Sequence, residues 1–277
     1  MMTVLLPTDF SDNAKNAILY ALEMYSNQEV NFILMNAFFP THDDMANSIT
    51  GGSLNDLLSE ASEKQLQDLI AEIKAKHHFN KKHSFSYKSA YGSLVEIIKT
   101  FVDKHPIDMI VMGAKGMSAV EKIVFGSNTY AVIKEVDCPV LVIPDKVTFS
   151  PIKNIAIATD FEPLKNSGVF KVLQPIVNDY NAAITMFNVT EEMKTVSDAE
   201  KSMASSVANV IGLEQLPITY FKHEDVIYGT KAYVQQHEIN MLALVNRRRN
   251  FLQDLFHISF TKQISFHAEI PLLVLHN

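Results

Sequence analysis

Gly113, Gly116 and, after nine further residues, Gly126 followed by Ser127 and Asn128 give the chain a pattern suited to holding an anion. Glycine lets a ligand come close to the backbone, and the start of a helix presents unpaired N–H groups and a dipole that favours phosphate. Ser127 adds a hydroxyl donor and Lys115 a point charge. A plain strand-to-helix turn with a serine cap would use the same residues, so the pattern alone leaves both readings open. Asp9, in Pro7-Thr8-Asp9, is a second candidate. Its carboxylate could accept bonds from a base amine or a ribose hydroxyl, or it could cap the following helix, for which Ser11 is equally placed.

These residues lie at the ends of short apolar runs. Val4–Leu6, Phe32–Met35, Met109–Met112 and Val140–Ile143 show no alternation of polar and apolar residues, which is the pattern of strands buried on both faces. Between them, Ala14, Ala17, Ile18, Ala21, Leu22 and Tyr25 fall on one helical stripe, and Leu94, Ile97, Ile98 and Phe101 on another. Leu54, Leu57, Leu58, Ala61, Leu69, Ile70 and Ile73 mark a longer helix after Gly51-Gly52. Strand and helix alternate, which predicts an α/β fold with a mostly parallel sheet. In a sheet of order 3-2-1-4-5, the first and fourth strands are neighbours, and Asp9 and Gly113 face one crevice.

The pattern then restarts. Thr8-Asp9-Phe10 recurs as Thr159-Asp160-Phe161, Asn36 as Asn188, His105-x-x-Asp108-Met109 as His237-x-x-Asn240-Met241, and Pro139 as Pro271. Equivalent residues are 151 apart at the first strand and 132 apart at the last, so the first copy is longer by 19 residues. The excess is expected between about residues 38 and 83, in the loop Phe39–Ser53 and the helix after it. The segment Asp145–Pro151 lacks an apolar period and reads as the joint, giving domains of 1–146 and 151–277, each with five strands.

Pro7-Thr8-Asp9-Phe10-Ser11 after the first strand, together with G-x2-G-x9-G-S at Gly113, Gly116, Gly126 and Ser127, resembles the universal stress protein family. The resemblance spans the chain as two tandem copies. It implies two doubly wound domains of the adenine-nucleotide alpha-hydrolase type, each a five-stranded parallel sheet with helices on both faces. It also implies that Pro7, Thr8, Asp9, Ala37, Met112 and Gly113 hold adenosine, while Lys115, Gly116, Gly126, Ser127 and Asn128 hold phosphates. The implied cofactor is ATP, or ADP or AMP, with magnesium or manganese carried on the phosphates. The family pairs through its last strands, here Val140–Ile143 and Leu272–Leu275, so the two copies are expected to form a dimer within one chain; a further homodimer and protein partners are left open.

The second copy departs from the glycine pattern. Gly113, Gly116 and Gly126 become Val245, Arg248 and Ile258, and only Ser127 is kept, as Ser259. Branched side chains resist positive φ and fill the space through which phosphate would approach. Nucleotide is therefore expected in the first domain only. Arg247, Arg248 and Arg249 are all the arginines of the chain, and they read either as a solvated loop or as a different anion site. His77, His78 and His83, and His42 with Asp43 and Asp44, lack a metal-ligand spacing and read as solvated residues. Cys138 reads as a buried, inert thiol, and Asn47–Ser53 as a surface loop or a lid over the site.

Composition narrows the function. With 47% hydrophobic and 20% charged residues among 277, the chain is an ordinary globular protein, and a net charge of -7 argues against nucleic acid or an anionic membrane as partner. No apolar run approaches the roughly 20 residues of a membrane span, and the opening residues carry no basic segment, so a cytoplasmic protein is expected. The chain lacks G-x-x-x-x-G-K-[ST], G-x-G-x-x-G and S-G-G-x-D-S, which argues against an enzyme. A nucleotide-dependent regulatory or stress-resistance factor is the leading expectation. A nucleotide-free dimerisation scaffold and a slow ATP hydrolase are the alternatives.

Overall fold

The computed structural model describes residues 1–40, 54–76, 80–114, 126–246 and 270–277. The first half runs β1 (Met2–Pro7), α1 (Asp12–Met24), β2 (Val30–Phe38), α2 (Leu54–Lys76), β3 (His83–Tyr91), α3 (Leu94–Lys104), β4 (Met109–Gly113), α4 (Ser127–Glu135) and β5 (Val140–Ile143). The second runs β6 (Asn154–Ala158), a 3-10 helix (Ser167–Leu173), α5 (Gln174–Tyr180), β7 (Ala183–Thr190), α6 (Asp198–Ile211), β8 (Ile218–Lys222), α7 (Val226–Gln236), β9 (Met241–Asn246) and β10 (Leu272–His276).

Each half has the expected strand order 3-2-1-4-5 with all neighbours parallel, and the halves meet edge to edge. β5 and β10 pair antiparallel, Val142 opposite Leu272, Leu141 opposite Leu273 and Val140 opposite Val274. Ten strands thus form one sheet. On one face lie α1, α2, the 3-10 helix, α5 and α6, and on the other α3, α4 and α7. Each apolar layer runs through both halves without interruption.

Local sequence explains the elements. Ser11 caps α1, its Oγ accepting the Ala14 N–H at 3.2 Å, so the helix is fixed one residue after the candidate site turn. Ser197 and Glu200 form a reciprocal capping box on α6, and Gly212, at φ 82°, ends it. The apolar stripe expected along α2 starts later than its leucines suggest: Leu57 is 53% exposed, and burial begins at Ser62 and Leu66. The helix extends beyond the sheet's cover at its amino end.

The length difference sits where the repeat places it. Asn36 and Asn188 are 152 apart, and the residues paired with them, Ser89 and Tyr220, are 131 apart, so the first half gains 21 residues between its second and third strands. Single residues gained by the second half on either side reduce the net excess to 19. The helix takes part of the insertion, 23 residues in α2 against 14 in α6.

Beyond the strand pair, α1 and α5 carry the contact between halves. The Tyr180 hydroxyl donates to Met24 O at 2.8 Å, Gln28 Nε2 to Asp179 Oδ1 at 2.8 Å, and Asn16 Nδ2 to Val147 O at 2.9 Å. The Phe149 ring packs between Tyr20 and Tyr180, with centroids 5.3 and 5.5 Å away. His276, at the end of β10, donates from Nε2 to Ile133 O of the first half at 2.8 Å, and its Nδ1 is buried without a partner.

Burial holds the His276 pKa below its ordinary value, outweighing the carbonyl bond. His83, read from the sequence as solvated, is instead buried, its ring packed edge-on to Phe32 and its Nε2 3.0 Å from Tyr25 O, and burial shifts its pKa in the same direction. The unfolded chain therefore binds more protons than the folded one, so stability is full above the ordinary histidine pKa of about 6.5 and falls as pH drops below it. The denaturation midpoint should decline from pH 7 to pH 5, and His276→Asn should make that decline shallower. An unchanged slope in the variant would show that His276 does not contribute.

Candidate functional site

β1 and β4 adjoin in the first half, and their carboxyl ends bound the crevice at which the strand order reverses. They share only two register pairs, Val4 with Met109 and Leu5 with Ile110. The equivalent strands of the second half, β6 and β9, stay paired through four, from Ile155 with Met241 to Ala158 with Leu244.

Pro7 accounts for the difference. In β1 the N–H groups of Met2 and Thr8 point to the β2 side, donating to Glu29 O and Met35 O. That of Thr3 points to the β4 side, donating to Asp108 Oδ2 at 2.8 Å. Alternation puts the nitrogen of residue 7 on the β4 side, and proline has no hydrogen to give there. β6 carries Ala158 at this position, and its ladder continues. Pro7 and Met112, both expected to touch a nucleotide, therefore stand on opposite sides of an unladdered stretch.

The turn after β1 is held in an unusual shape. Phe10 has φ 64°, a left-handed backbone costly for a bulky residue, and Phe161 repeats it at φ 57°. Thr8 and Thr159 support these turns, their Oγ1 atoms accepting the Phe10 and Phe161 N–H groups at 3.0 and 3.2 Å. Asp9 Oδ1 accepts the Ser11 N–H at 3.1 Å and its hydroxyl at 2.6 Å. The two uses considered for Asp9 and Ser11 thus divide: Ser11 is the cap of α1, and Asp9 orients Ser11 from the mouth of the crevice.

Asn36 is the residue that sequence reasoning did not place in the site. Its Nδ2 donates to Thr8 O at 2.7 Å, and its Oδ1 accepts the Ser62 hydroxyl at 2.8 Å, which in turn accepts from Ser89 at 2.7 Å. This buried chain ties the turn to β2, α2 and β3. Asn188 makes the same first bond, to Thr159 O at 2.6 Å. The recurrence of the asparagine in both copies was the available signal.

Gly113 has a packing reason to be glycine. A Cβ there would lie 2.9 Å from Asn13 O and 3.1 Å from its carbon, so the bare backbone lets the first turn of α1 press against the end of β4. The second half begins no helix until Ser167, and Val245 is accommodated. Gly126 caps α4 at φ -64° and ψ 153°, a conformation open to any residue, so its backbone angles do not demand glycine. Its N–H donates to Ala114 O at 2.6 Å and Thr129 Oγ1 to Gly113 O at 2.9 Å, fastening the start of α4 to the end of β4. Ser127 and Asn128 are exposed on the first turn of that helix, and Ala37 is half-buried on β2.

The structure thus brings Pro7, Thr8, Asp9, Met112, Gly113, Gly126, Ser127 and Asn128 to the strand ends around one crevice. Lys115 and Gly116 lie outside the described residues, as do His42, Asp43, Asp44, Asn47–Ser53, His77, His78, Arg247–Arg249, Ile258 and Ser259. Cys138 is buried, and burial together with the Asp108 charge pushes its thiol up to about 12.

Two variants probe this geometry. Pro7→Ala restores a donor and should extend the β1–β4 ladder; hydrogen exchange should show the new amide protected, and a freely exchanging amide would refute the role of proline. Gly113→Ala should cost about 1–3 kcal/mol in urea denaturation because Asn13 must shift, and wild-type stability would show the contact to be soft.

The universal stress protein family model matches residues 1–144. A universal stress protein of Methanocaldococcus jannaschii is 27% identical over 142 residues, covering 50% of this chain and 80% of the relative. Another, from Thermus aquaticus, is 27% identical over 141 residues, covering 51% and 97%. Among solved structures, a universal stress protein from Archaeoglobus fulgidus is 18% identical with a TM-score of 0.65, covering 99% of this chain and 96% of that one, which extends the likeness in fold to both halves. With the family model matched over half its length and the same fold in tandem, the chain belongs to the universal stress protein family.

Proposed function

We propose that the chain is a nucleotide-dependent regulatory protein that binds ATP in residues 1–146, with residues 151–277 as its paired partner. The observation that carries this reading is the contrast between the two switch points. The β1–β4 ladder stops two pairs early at Pro7, while the β6–β9 ladder runs to the end of β6 at Ala158. Ligands of doubly wound sheets bind outside the strand ends at this switch point, and an early end to the β1–β4 ladder leaves backbone groups there for a base to meet.

The residues of the crevice fit an adenine nucleotide. Pro7, Thr8, Ala37 and Met112 offer apolar or small surfaces to a base, and Asp9 offers a carboxylate to a ribose hydroxyl. Gly113 leaves the backbone bare at the mouth, and the first turn of α4, with Ser127 and Asn128, presents N–H groups and hydroxyl or amide donors to phosphate. Lys115 and Gly116, adjoining Ala114, complete the proposed cradle. ADP and AMP share the base and ribose contacts. Magnesium or manganese would ride on the phosphates of a bound triphosphate.

Isothermal titration with ATP and magnesium should give one site per chain, and Asp9→Ala should weaken it at least tenfold. Two equivalent sites would overturn the assignment to the first half, and absence of binding would overturn the nucleotide reading.

A further inference from the structure

The two halves differ at a second place, along the outer side of α3. The structural equivalences are set by shared bonds. Thr8 and Thr159 donate to Met35 O and Phe187 O, and Gly92 and His223 donate to Phe38 O and Thr190 O. Asn36 and Asn188 carry Ser89 and Tyr220 as register partners, so the next pair makes Ala90 the counterpart of Phe221. Ser93 and Asp225 cap α3 and α7, which makes Phe101 the counterpart of Tyr233 and Ile97 that of Gly229. The ring contacts agree: Phe101 lies 4.3 Å from His105 and Tyr233 4.2 Å from His237, at interplanar angles of 36° and 33°.

In the second half this place is full. Phe221 packs edge-on to Tyr233 at 5.5 Å, Tyr233 stacks on Phe187 at 3.9 Å, and Tyr233 is 2% exposed. A Cβ on Gly229 would meet Val189 Cγ1 at 2.5 Å, so α7 lies directly on its strands. In the first half Ala90 replaces the phenyl ring and leaves an open groove of about 600 Å³ with Ala90, Ile97 and Phe101 among its lining. Phe101 is half-buried where Tyr233 is covered.

The rim changes with the floor. Lys88 and Lys104 line the groove together with His105 and a single carboxylate, Glu96. Their counterparts in the second half are Thr219, Gln236, His237 and Tyr228, none of them carrying the formal charge of a lysine or glutamate. Where the fold has lost its own phenyl ring it has gained two lysines.

We infer that the groove between β3 and α3 binds a small aromatic carboxylate, its ring seated over Ala90 against Phe101 in the place that Phe221 takes in the other half, and its carboxylate held by Lys88 and Lys104. The volume is that of a small-molecule site, the floor is apolar, and the rim carries more positive than negative groups. The groove shares no lining residue with the strand-end crevice, although Ala90 is the register partner of Ala37, and the inference does not rest on the nucleotide reading.

The test uses the whole chain and 3-phenylpropanoate as probe, with the neutral 3-phenylpropanamide beside it. Titration followed by amide NMR should perturb residues 88–105 with saturation at millimolar probe or below. Ala90→Phe, the fold's own filler, should abolish binding while leaving the melting temperature equal or higher. Lys88→Thr with Lys104→Gln should weaken the acid at least fivefold and leave the amide unchanged. Absence of perturbation at 88–105, or acid binding retained by Ala90→Phe, overturns the site; equal loss of acid and amide in the lysine variant overturns the role of the lysines. If Ala90→Phe does not fold, the groove is not an open counterpart of the Phe221 position and the inference fails with it.

Discussion

The antiparallel pairing of β5 with β10 is the constraint on which the architecture rests. A parallel sheet of five strands ends in a row of unpaired backbone groups, an edge that natural proteins cover or blunt. Each half has such an edge at its fifth strand, composed of residues with no polar side chain, Val140–Ile143 and Leu272–Leu275. Joining them satisfies both backbones and makes the apolar layers continuous, so that α1 reaches Phe149 of the joint and its end reaches Tyr180 of the other half.

Once the halves share a sheet, the contrast between their switch points comes down to strand ends and helix starts. The same Thr-Asp-Phe turn is built twice, with the same left-handed phenylalanine and the same asparagine on the threonine carbonyl. At the turn itself, among the described residues, what differs is a missing N–H in β1 and the point at which the first helix begins. Ser11 starts α1 at once, which requires Gly113 to be bare; in the second half the chain runs on to Ser167 first, and Val245 fits. Glycine at 113 and an early helix are therefore one solution, and valine at 245 and a late helix another.

Much of this was legible in the sequence because it rests on patterns the chain repeats. Uniformly apolar strands announced a sheet buried on both faces, recurrence of Thr-Asp-Phe and of the prolines before the last strands gave the tandem plan, and the strand order came from the family resemblance. Ser11 as cap was readable from its position before the apolar stripe of α1. The exposed Leu57 was not readable, because periodicity shows which side chains share a face but not how far the neighbouring sheet extends beneath them. The role of Pro7 escaped notice because it depends on which way an N–H points, and that is known only once strand order is known. Asn36 was seen as a marker of the repeat, and its bond to Thr8 O needed the two strands side by side.

A sheet joined through its middle leaves β3 and β8 as its two free borders, at opposite ends of the molecule. The strands that meet at the centre are tied by the covalent chain, so dilution cannot draw the halves apart as it would two separate subunits. A symmetric pair of identical chains must carry every substitution in both copies. Here a proline, a glycine or a phenylalanine can be placed in one half alone, and the molecule gains a direction: at one end the ladder beside the first strand stops early, at the other it runs to the strand's last residue.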